Sequence, residues 1–215
     1  RRLQVLHRGP GDHVSVMEGR ATFRPAAKAD ASALAVLVDI AGEGLPAHLW
    51  NTLKAPGQSI LEVGRERAAR EEGGFSYRNA IIAEVDGEIA ACLVGYRLDD
   101  PYDLGDLEQA PPVVRPLVLL EAKARGSWYV NVLATFPELR RCGIGIELLG
   151  IAEGKAREEG AHALSVIVAA ENERAARLYA AAGYEALATE PIFAFPGCPH
   201  GGDWLLMVKP LPAGA

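Results

Sequence analysis

The sequence has little of what marks several large classes of protein. Only three cysteines occur in 215 residues, and their spacing is unpaired, which indicates reduced thiols and a cytoplasmic location. Basic residues are fewer than acidic ones, and the net charge of −6 argues against nucleic-acid binding, because phosphate contacts need clustered Lys and Arg. No apolar run approaches the roughly 18 residues of a membrane span, so no membrane association is expected.

Other signals are missing as well. The charged N-terminus has no continuous apolar region, so no signal peptide is recognised. The chain does not begin with Met, which indicates that upstream residues are missing, and Met17 is an alternative start. No metal site is expected, because Cys198 and His200 form a lone close pair that two loop neighbours explain more simply than zinc.

What is present is the composition of an ordinary globular protein, with 49% apolar and 23% charged residues. The length suffices for one well-filled core. We expect a flexible lead-in over residues 1–19, where Gly9-Pro10-Gly11 breaks any periodicity, followed by a single domain over residues 20–210.

The periodic segments of this domain alternate between strand and helix patterns. Asp86-Gly87, between two β-rich runs, predicts a hairpin. Two segments, residues 43–78 and 99–125, are interpreted as insertions between these elements. The predicted strands are 20–24, 79–85, 88–98, 129–135, 164–169, 185–195 and 203–208. The predicted helices are 31–41, 46–54, 58–72, 113–125, one from 144 onward and one from 172.

The most informative stretch runs from Ser127 to Leu149. It consists of a β-rich run, a loop that begins at Pro137, and a helix whose start contains Gly143 and Gly145. The first amides of a helix have no intrahelical partner and lie at the positive end of its dipole. This stretch therefore predicts a site for a phosphate-bearing ligand.

Two nucleotide motifs fail on spacing. A dinucleotide fingerprint requires a third glycine where this chain has Leu148. A P-loop requires Lys and then Ser or Thr after its second glycine, but Ile151 and Ala152 follow Gly150.

The remaining pattern, Arg140-x-x-Gly143-x-Gly145, resembles the pyrophosphate loop of the GNAT (Gcn5-related N-acetyltransferase) family. A second segment is similar to that family's N-x-x-A-x-x-x-Y motif, with Asn172, Ala175 and Tyr179 at the matching positions. The resemblance covers about residues 20–210, with specific motifs only in 128–184. It implies that the insertions 43–78 and 99–125 lie near the acceptor site. It implies an α/β (α+β) fold with a central mixed, splayed sheet of about six to seven strands flanked by helices.

The resemblance also implies acetyl-CoA as co-substrate, no metal, an amine as acceptor, and direct transfer of the acetyl group. It is compatible with a homodimer. The backbone N–H near Leu133 would polarise the thioester carbonyl, and Tyr179 would protonate the departing thiolate. The residues implied to bind the cofactor are Val132, Leu133, Thr135, Arg140, Arg141, Cys142, Gly143, Ile144, Gly145, Ile146, Asn172 and Tyr179.

The general base and the acceptor stay open. Some family members place a Glu on the strand before the loop, but this strand offers Asn131. A water relay could substitute, and the carboxylates and imidazoles considered instead are Glu84, Asp99, Glu121, His48, His162 and His200. The acidic residues of segment 99–108 would suit a cationic amine. Two alternatives are a non-catalytic acyl-CoA sensor and an acyltransferase with another acyl-CoA or a hydroxyl acceptor.

Overall fold

The fold is given by a computed structural model that describes residues 3–7, 15–19 and 21–212. Its strands are β1 (Leu3–His7), β2 (Ser15–Gly19), β3 (Thr22–Pro25), β4 (Ala80–Val85), β5 (Glu88–Arg97), β6 (Trp128–Thr135), β7 (Ala163–Ala169), β8 (Glu185–Pro191) and β9 (Asp203–Pro210). Its helices are α1 (Ala31–Ala41), α2 (Leu45–Leu53), α3 (Ile60–Ala68), α4 (Arg115–Lys123), α5 (Ile144–Glu158) and α6 (Glu173–Ala181).

Seven strands form the main sheet in the order β3-β4-β5-β6-β7-β9-β8. Each neighbouring pair is antiparallel except β6 and β7, which are parallel. The predicted fold class, a mixed sheet of about six to seven strands flanked by helices, is confirmed.

The predicted hairpin is present between β4 and β5. Asp86 and Gly87 both have positive φ angles, 53° and 82°, as a two-residue turn with primed geometry requires. Glycine accepts this conformation without steric cost and Asp tolerates it, which explains why the Asp-Gly pair carried a strong signal.

The N-terminal segment differs from the expectation of a lead-in without regular structure. Strands β1 and β2 pair antiparallel, from Leu3 with Gly19 to His7 with Ser15. Backbone pairing does not need an apolar periodicity, so the sequence pattern missed this two-stranded sheet. The rest of residues 1–19 lies outside the described residues, and the flexibility of the segment stays a prediction.

Helices cover both faces of the main sheet. Helix α5 packs on one face, where Ile144, Leu148 and Ala152 are buried against β5, β6 and β7. Helices α1 and α3 pack on the other face, where Leu34 and Leu37 are fully buried. Helix α4, from the segment 99–125, continues this second layer over β8 and β9. Each helix thus buries one apolar stripe, as its sequence period predicts.

Candidate active site

Strands β6 and β7 are paired over only part of their length. Their parallel register begins at Trp128 with Leu164 and ends at Val130 with Val166. Strand β6 nevertheless continues to Thr135, and β7 to Ala169. The two strands therefore separate inside the sheet, and an extended ligand can lie along the freed backbone groups.

A bulge in β6 lies where the separation begins. Val130 is opposite Gly95 on β5. The next pair is Val132 with Val94, which leaves Asn131 as the extra residue. After the bulge, Leu133 contacts the core under α5. The bulge therefore re-aims the side chains at the point where the cleft opens.

The separated strands open into a cavity of about 1000 Å³, which we call the main cavity. All residues that the resemblance implied as cofactor contacts line it: Val132, Leu133, Thr135, Arg140, Arg141, Cys142, Gly143, Ile144, Gly145, Ile146, Asn172 and Tyr179. Both predicted insertions contribute as well, with Glu43 and Phe75 from the first and Val114 and Leu117 from the second.

The loop before α5 presents backbone amides to this cavity. Gly143 is the N-cap in the left-handed conformation (φ 86°), and Arg141 also has a positive φ of 65°. The N–H groups of Gly143, Ile144 and Gly145 have no hydrogen-bond partner among the described residues. The N–H of Ile146 already donates to the Gly143 carbonyl at 3.0 Å. The amides available to an anion are therefore those that precede Ile146.

Arg140 fastens this loop to the strand. Its Nε donates to the backbone carbonyl of Thr135 at 3.1 Å. The carbonyl of Thr135 is therefore engaged within the protein, although the resemblance implied that Thr135 contributes freed backbone groups.

Cys142 is a poor nucleophile in these surroundings. Its thiol donates to the Arg140 carbonyl at 3.5 Å. Partial burial raises the pKa of the Cys142 thiol above its ordinary value, so little reactive thiolate is present near neutral pH.

Helix α6 carries the second motif. Asn172 is its N-cap, and its Oδ1 accepts from the Ala175 N–H at 3.1 Å. Tyr179, two turns later, is buried and packs edge-on against Tyr184 with ring centroids 5.6 Å apart. Burial raises the pKa of Tyr179 above its ordinary value, which keeps the phenol neutral and able to donate its proton.

Glu43, which the sequence analysis did not single out, is the one carboxylate among the described residues that lines the main cavity. It lies in the turn between α1 and α2 with φ 50°. Its Oε1 accepts from Asn172 Nδ2 at 3.1 Å, and its Oε2 is 2.8 Å from His200 Nε2. His200 Nδ1 in turn is 3.3 Å from a carboxylate oxygen of Glu171. The flanking glycines in Gly42-Glu43-Gly44 were the only sequence signal.

The carboxylates and the histidine His48, which the sequence analysis considered as the general base, do not line the main cavity. Glu84 on β4 bonds with Arg24 at 2.8 Å. Asp99 and Glu121 line a separate, smaller cavity. His48 packs against the ring of Phe195.

The indole N–H of Trp204 on β9 is buried without a hydrogen-bond partner among the described residues. Trp204 lines the main cavity. A buried donor without a partner lowers the stability of the folded state by roughly 1–3 kcal/mol. Such groups are rare in folded proteins, so this one needs an explanation. An oxygen acceptor in the cavity would satisfy this donor.

In the described part of the chain, no cluster of three His, Cys, Asp or Glu residues is arranged to hold a metal ion. No helix there is long and apolar enough to cross a membrane.

Unpaired amides at a helix start, a strand with freed backbone groups, and a carboxylate and a phenol in one cavity are the parts that acyl transfer from a phosphate-bearing thioester needs. The fold and the site thus define a coenzyme A-dependent acyltransferase. The chain belongs to the acetyltransferase (GNAT) family, whose model matches residues 33–184. The family's enzymes are N-acetyltransferases that use acetyl-CoA.

Solved structures show the same fold at low sequence identity. The crystal structure of an acetyltransferase is 22% identical, with a TM-score of 0.60, and covers 88% of this chain and 98% of its own. An N-acetyltransferase from Staphylococcus aureus Mu50 is 17% identical, with a TM-score of 0.58 and coverage of 87% and 99%. A polyamine N-acetyltransferase from Drosophila melanogaster is 15% identical, with a TM-score of 0.63 and coverage of 89% and 100%. A search of curated protein sequences gave no match.

Proposed function

We propose that the protein transfers the acetyl group of acetyl-CoA directly to a primary amine of a small molecule or a peptide. One observation carries the proposal. The freed strand and the loop amides that suit the donor line the same cavity as Glu43 and Tyr179, which suit acid–base chemistry.

The donor is held mainly by backbone groups. Its pyrophosphate binds the unpaired amides of Gly143, Ile144 and Gly145, and the pantetheine arm extends along β6 beside Val132 and Leu133. Because backbone atoms make these contacts, the side chains of the loop need not be polar.

Glu43 acts as the general base. It takes a proton from the ammonium form of the acceptor, and His200 behind it orients its carboxylate. The neutral amine attacks the thioester carbonyl, whose developing charge is stabilised by the backbone N–H near Leu133.

Attack leaves a surplus proton on the nitrogen of the tetrahedral intermediate. The intermediate then collapses, the carbon–sulfur bond breaks, and the thiolate takes a proton from Tyr179. The surplus proton on the nitrogen passes to the Tyr179 phenolate, which restores the phenol, and Glu43 releases its own proton to solvent. Burial that raises the pKa of the Tyr179 phenol also disfavours a thiolate formed beside it. The proton transfer between them therefore carries only a small penalty. A covalent enzyme intermediate at Cys142 is not part of this scheme, since that thiol stays protonated.

Thiol release from acetyl-CoA, measured with a panel of primary amines, tests the proposal. Glu43→Gln and Tyr179→Phe are each expected to lower kcat by about a hundredfold or more, the usual loss when an acid or base is removed. Acetyl-CoA should still bind both variants, because its backbone contacts are intact.

Tyr184→Phe is the matched control, since Tyr184 is a buried neighbour of Tyr179 that does not line the main cavity. It is expected to keep the wild-type rate. Rates of Glu43→Gln and Tyr179→Phe close to the wild type would refute the assigned roles.

One observation favours a second candidate, an acyl-CoA sensor without turnover. Strand β6 has Asn131 where a carboxylate would stand in some family members. If acetyl-CoA binds and no amine in the panel stimulates thiol release, the sensor replaces the enzyme. Competition between donors of different acyl length, and a panel of hydroxyl acceptors, would test the remaining acyltransferase alternatives in the same assay.

A further inference from the structure

Helix α3, in the first insertion, brings an arginine to the main cavity. Four arginines of the described residues line this cavity, and three of them lie in the loop before α5 or on α6: Arg140, Arg141 and Arg174. The fourth, Arg67, lies on α3. Helix α3 packs against α1 and α2, whereas α5 covers the opposite face of the sheet. Arg67 therefore approaches the cavity from the side away from the loop amides.

The charge of Arg67 is left without compensation. Arg67 is half-buried, and among the described residues its guanidinium has no hydrogen-bond or ion-pair partner. Glu43, the carboxylate at this cavity, is engaged by Asn172 and His200 instead. Burial, and next the charge of Arg70, lower the pKa of Arg67 below its ordinary value. Since arginine stays protonated in proteins, a charge is held partly out of water, and a bound anion would relieve this cost.

The side chains beside Arg67 are aromatic. A Cβ at Gly64 would lie 2.5 Å from Trp50 Cζ3, so the indole packs directly on α3. Arg67 follows Gly64 by three residues and thus lies on the same face of the helix. Phe75 stacks on Trp50 with ring centroids 5.9 Å apart, and both rings line the main cavity. A ligand group that reaches Arg67 is therefore partly shielded from water, which strengthens a charge pair.

Strand β6 adds a neutral hydrogen-bonding group on the same face of the sheet. Tyr129 and Val132 pack in the clusters of α4 and α1, whereas Val130 and Leu133 pack in the cluster of α5. Asn131, the extra residue of the bulge, lies on the face of Tyr129 and lines the main cavity. Its amide can donate a hydrogen bond and does not repel an anion.

We propose that Arg67 determines acceptor specificity by binding a carboxylate that the acceptor carries in addition to its primary amine. A planar guanidinium matches a carboxylate with two parallel hydrogen bonds. Glu43 receives the amine in the turn between α1 and α2, and α3 contacts both of these helices. No acidic residue of the segment 99–108 lines the main cavity, so that segment offers no site for a cationic group there. This inference rests on the proposed function, because it names what the acceptor of the same site carries.

Two pairs of acceptors test the inference: phenylalanine with phenylalaninamide, and 5-aminopentanoic acid with 5-aminopentanamide. The members of a pair differ in the charge of one group, and the two pairs place that group at a short and a long distance from the amine. In Arg67→Gln the ratio of kcat/KM for the acid to that for the amide is expected to fall about ten- to a hundredfold for at least one pair, the loss for a charge-assisted hydrogen bond.

Arg65→Gln is the matched control, because it makes the same change at an exposed position of α3 that does not line the main cavity. Its ratios are expected to equal those of the wild type. Arg67→Lys keeps the charge without the planar fork, so its ratio should fall less than that of Arg67→Gln, and it serves as the test if Arg67→Gln does not fold. The inference is overturned if neither acid is acetylated, if both ratios stay unchanged, or if acid and amide lose equally.

Calorimetry separates this inference from the proposed function. With coenzyme A present, which carries no acetyl group, one of the two acids is expected to bind Arg67→Gln at least about tenfold more weakly than the wild type. If this difference is found but no amine is ever acetylated, the carboxylate site stands and the proposed function fails. If amines are acetylated but neither acid shows the difference, the reverse holds. The Kd for acetyl-CoA should be the same in Arg67→Gln and the wild type, and a tenfold rise would place Arg67 at the donor and overturn the inference.

Discussion

Two glutamates in this protein have very different surroundings. Glu43 has hydrogen-bond partners at both carboxylate oxygens, from Asn172 and His200. Glu121, which is half-buried, has the Tyr102 hydroxyl as its hydrogen-bond partner. The first arrangement holds the carboxylate in place at the main cavity. The second carries an electrostatic cost when the carboxyl is ionised, because burial raises the pKa of Glu121.

This cost predicts a pH-dependent effect of Glu121→Gln on stability. The pKa of Glu121 is raised in the folded state, so at neutral pH folding must bury a charge, whereas at acidic pH the carboxyl is neutral in both states. The variant is therefore expected to gain stability over the wild type as pH rises from the ordinary carboxyl pKa of about 4.3.

Urea unfolding at several pH values, without amines, measures this difference. Glu108→Gln, at an exposed position, should show no such trend. A stability difference for Glu121→Gln that does not change with pH would contradict the raised pKa of the Glu121 carboxyl in the folded state.

The start of helix α5 contains two glycines, Gly143 and Gly145, which have different roles. Gly143 supplies the left-handed N-cap that turns the loop into the helix. Gly145 has no such requirement, and a Cβ there would meet only Leu178 Cδ2 at 3.8 Å. Its lack of a side chain instead leaves the cavity side of the helix open for close approach of a ligand.

Gly145→Ala therefore separates stability from donor binding. Alanine is favoured over glycine in a helix by roughly 0.8–1.0 kcal/mol, so the free protein should not be destabilised. The added methyl group lies at the main cavity, which Gly145 and Leu178 both line. If the pyrophosphate binds at this helix start, the methyl group obstructs it, and we expect the Kd for acetyl-CoA to rise at least about tenfold, as for a lost charge-assisted hydrogen bond.

Gly150→Ala is the control for this comparison. Gly150 lies in the same helix, has open space around its Cβ position and does not line the main cavity. Calorimetry should show wild-type affinity for that variant. Equal affinities of the two variants would show that the helix start is not where the donor binds.

Across the protein, the main cavity joins parts of the chain that are far apart in sequence. It is lined by the α1–α2 turn, by β6 and its loop, by α6 and by β9. A ligand that binds there contacts both sides of the separated strands. Such a ligand stabilises the folded state as a whole, because it does not bind the unfolded chain.

Acetyl-CoA is therefore expected to raise the melting temperature. At a hundredfold excess over Kd the gain is about 2.7 kcal/mol, or roughly 5–10 °C for a protein of this size. Differential scanning calorimetry checks it, with ATP at the same concentration as the comparison. A shift with ATP and none with acetyl-CoA would revive a nucleotide site at the Arg140–Gly145 loop.

Patterns among residues close together in sequence were enough to predict most helices and strands of the main domain and the loop before α5. The hairpin at Asp86-Gly87, helix α1 and the motif from Arg140 to Gly145 all depend on residues close together in sequence. Periodicity, turn chemistry and motif spacing report such interactions directly. The two-stranded pairing of Leu3–His7 was missed, because its sequence has no regular pattern.

The tertiary structure alone decided the rest of the site. Glu43 meets residues 129 and 157 positions away, namely Asn172 and His200. The bulge at Asn131 depends on the register between two strands, and the smaller cavity lined by Asp99 and Glu121 depends on how α4 packs over the sheet. A single sequence does not contain these pairings in any local pattern, because they arise only when distant segments pack together. The two motifs that line the main cavity were therefore readable from the sequence, and the contacts of Glu43 in the same cavity were decided by the fold.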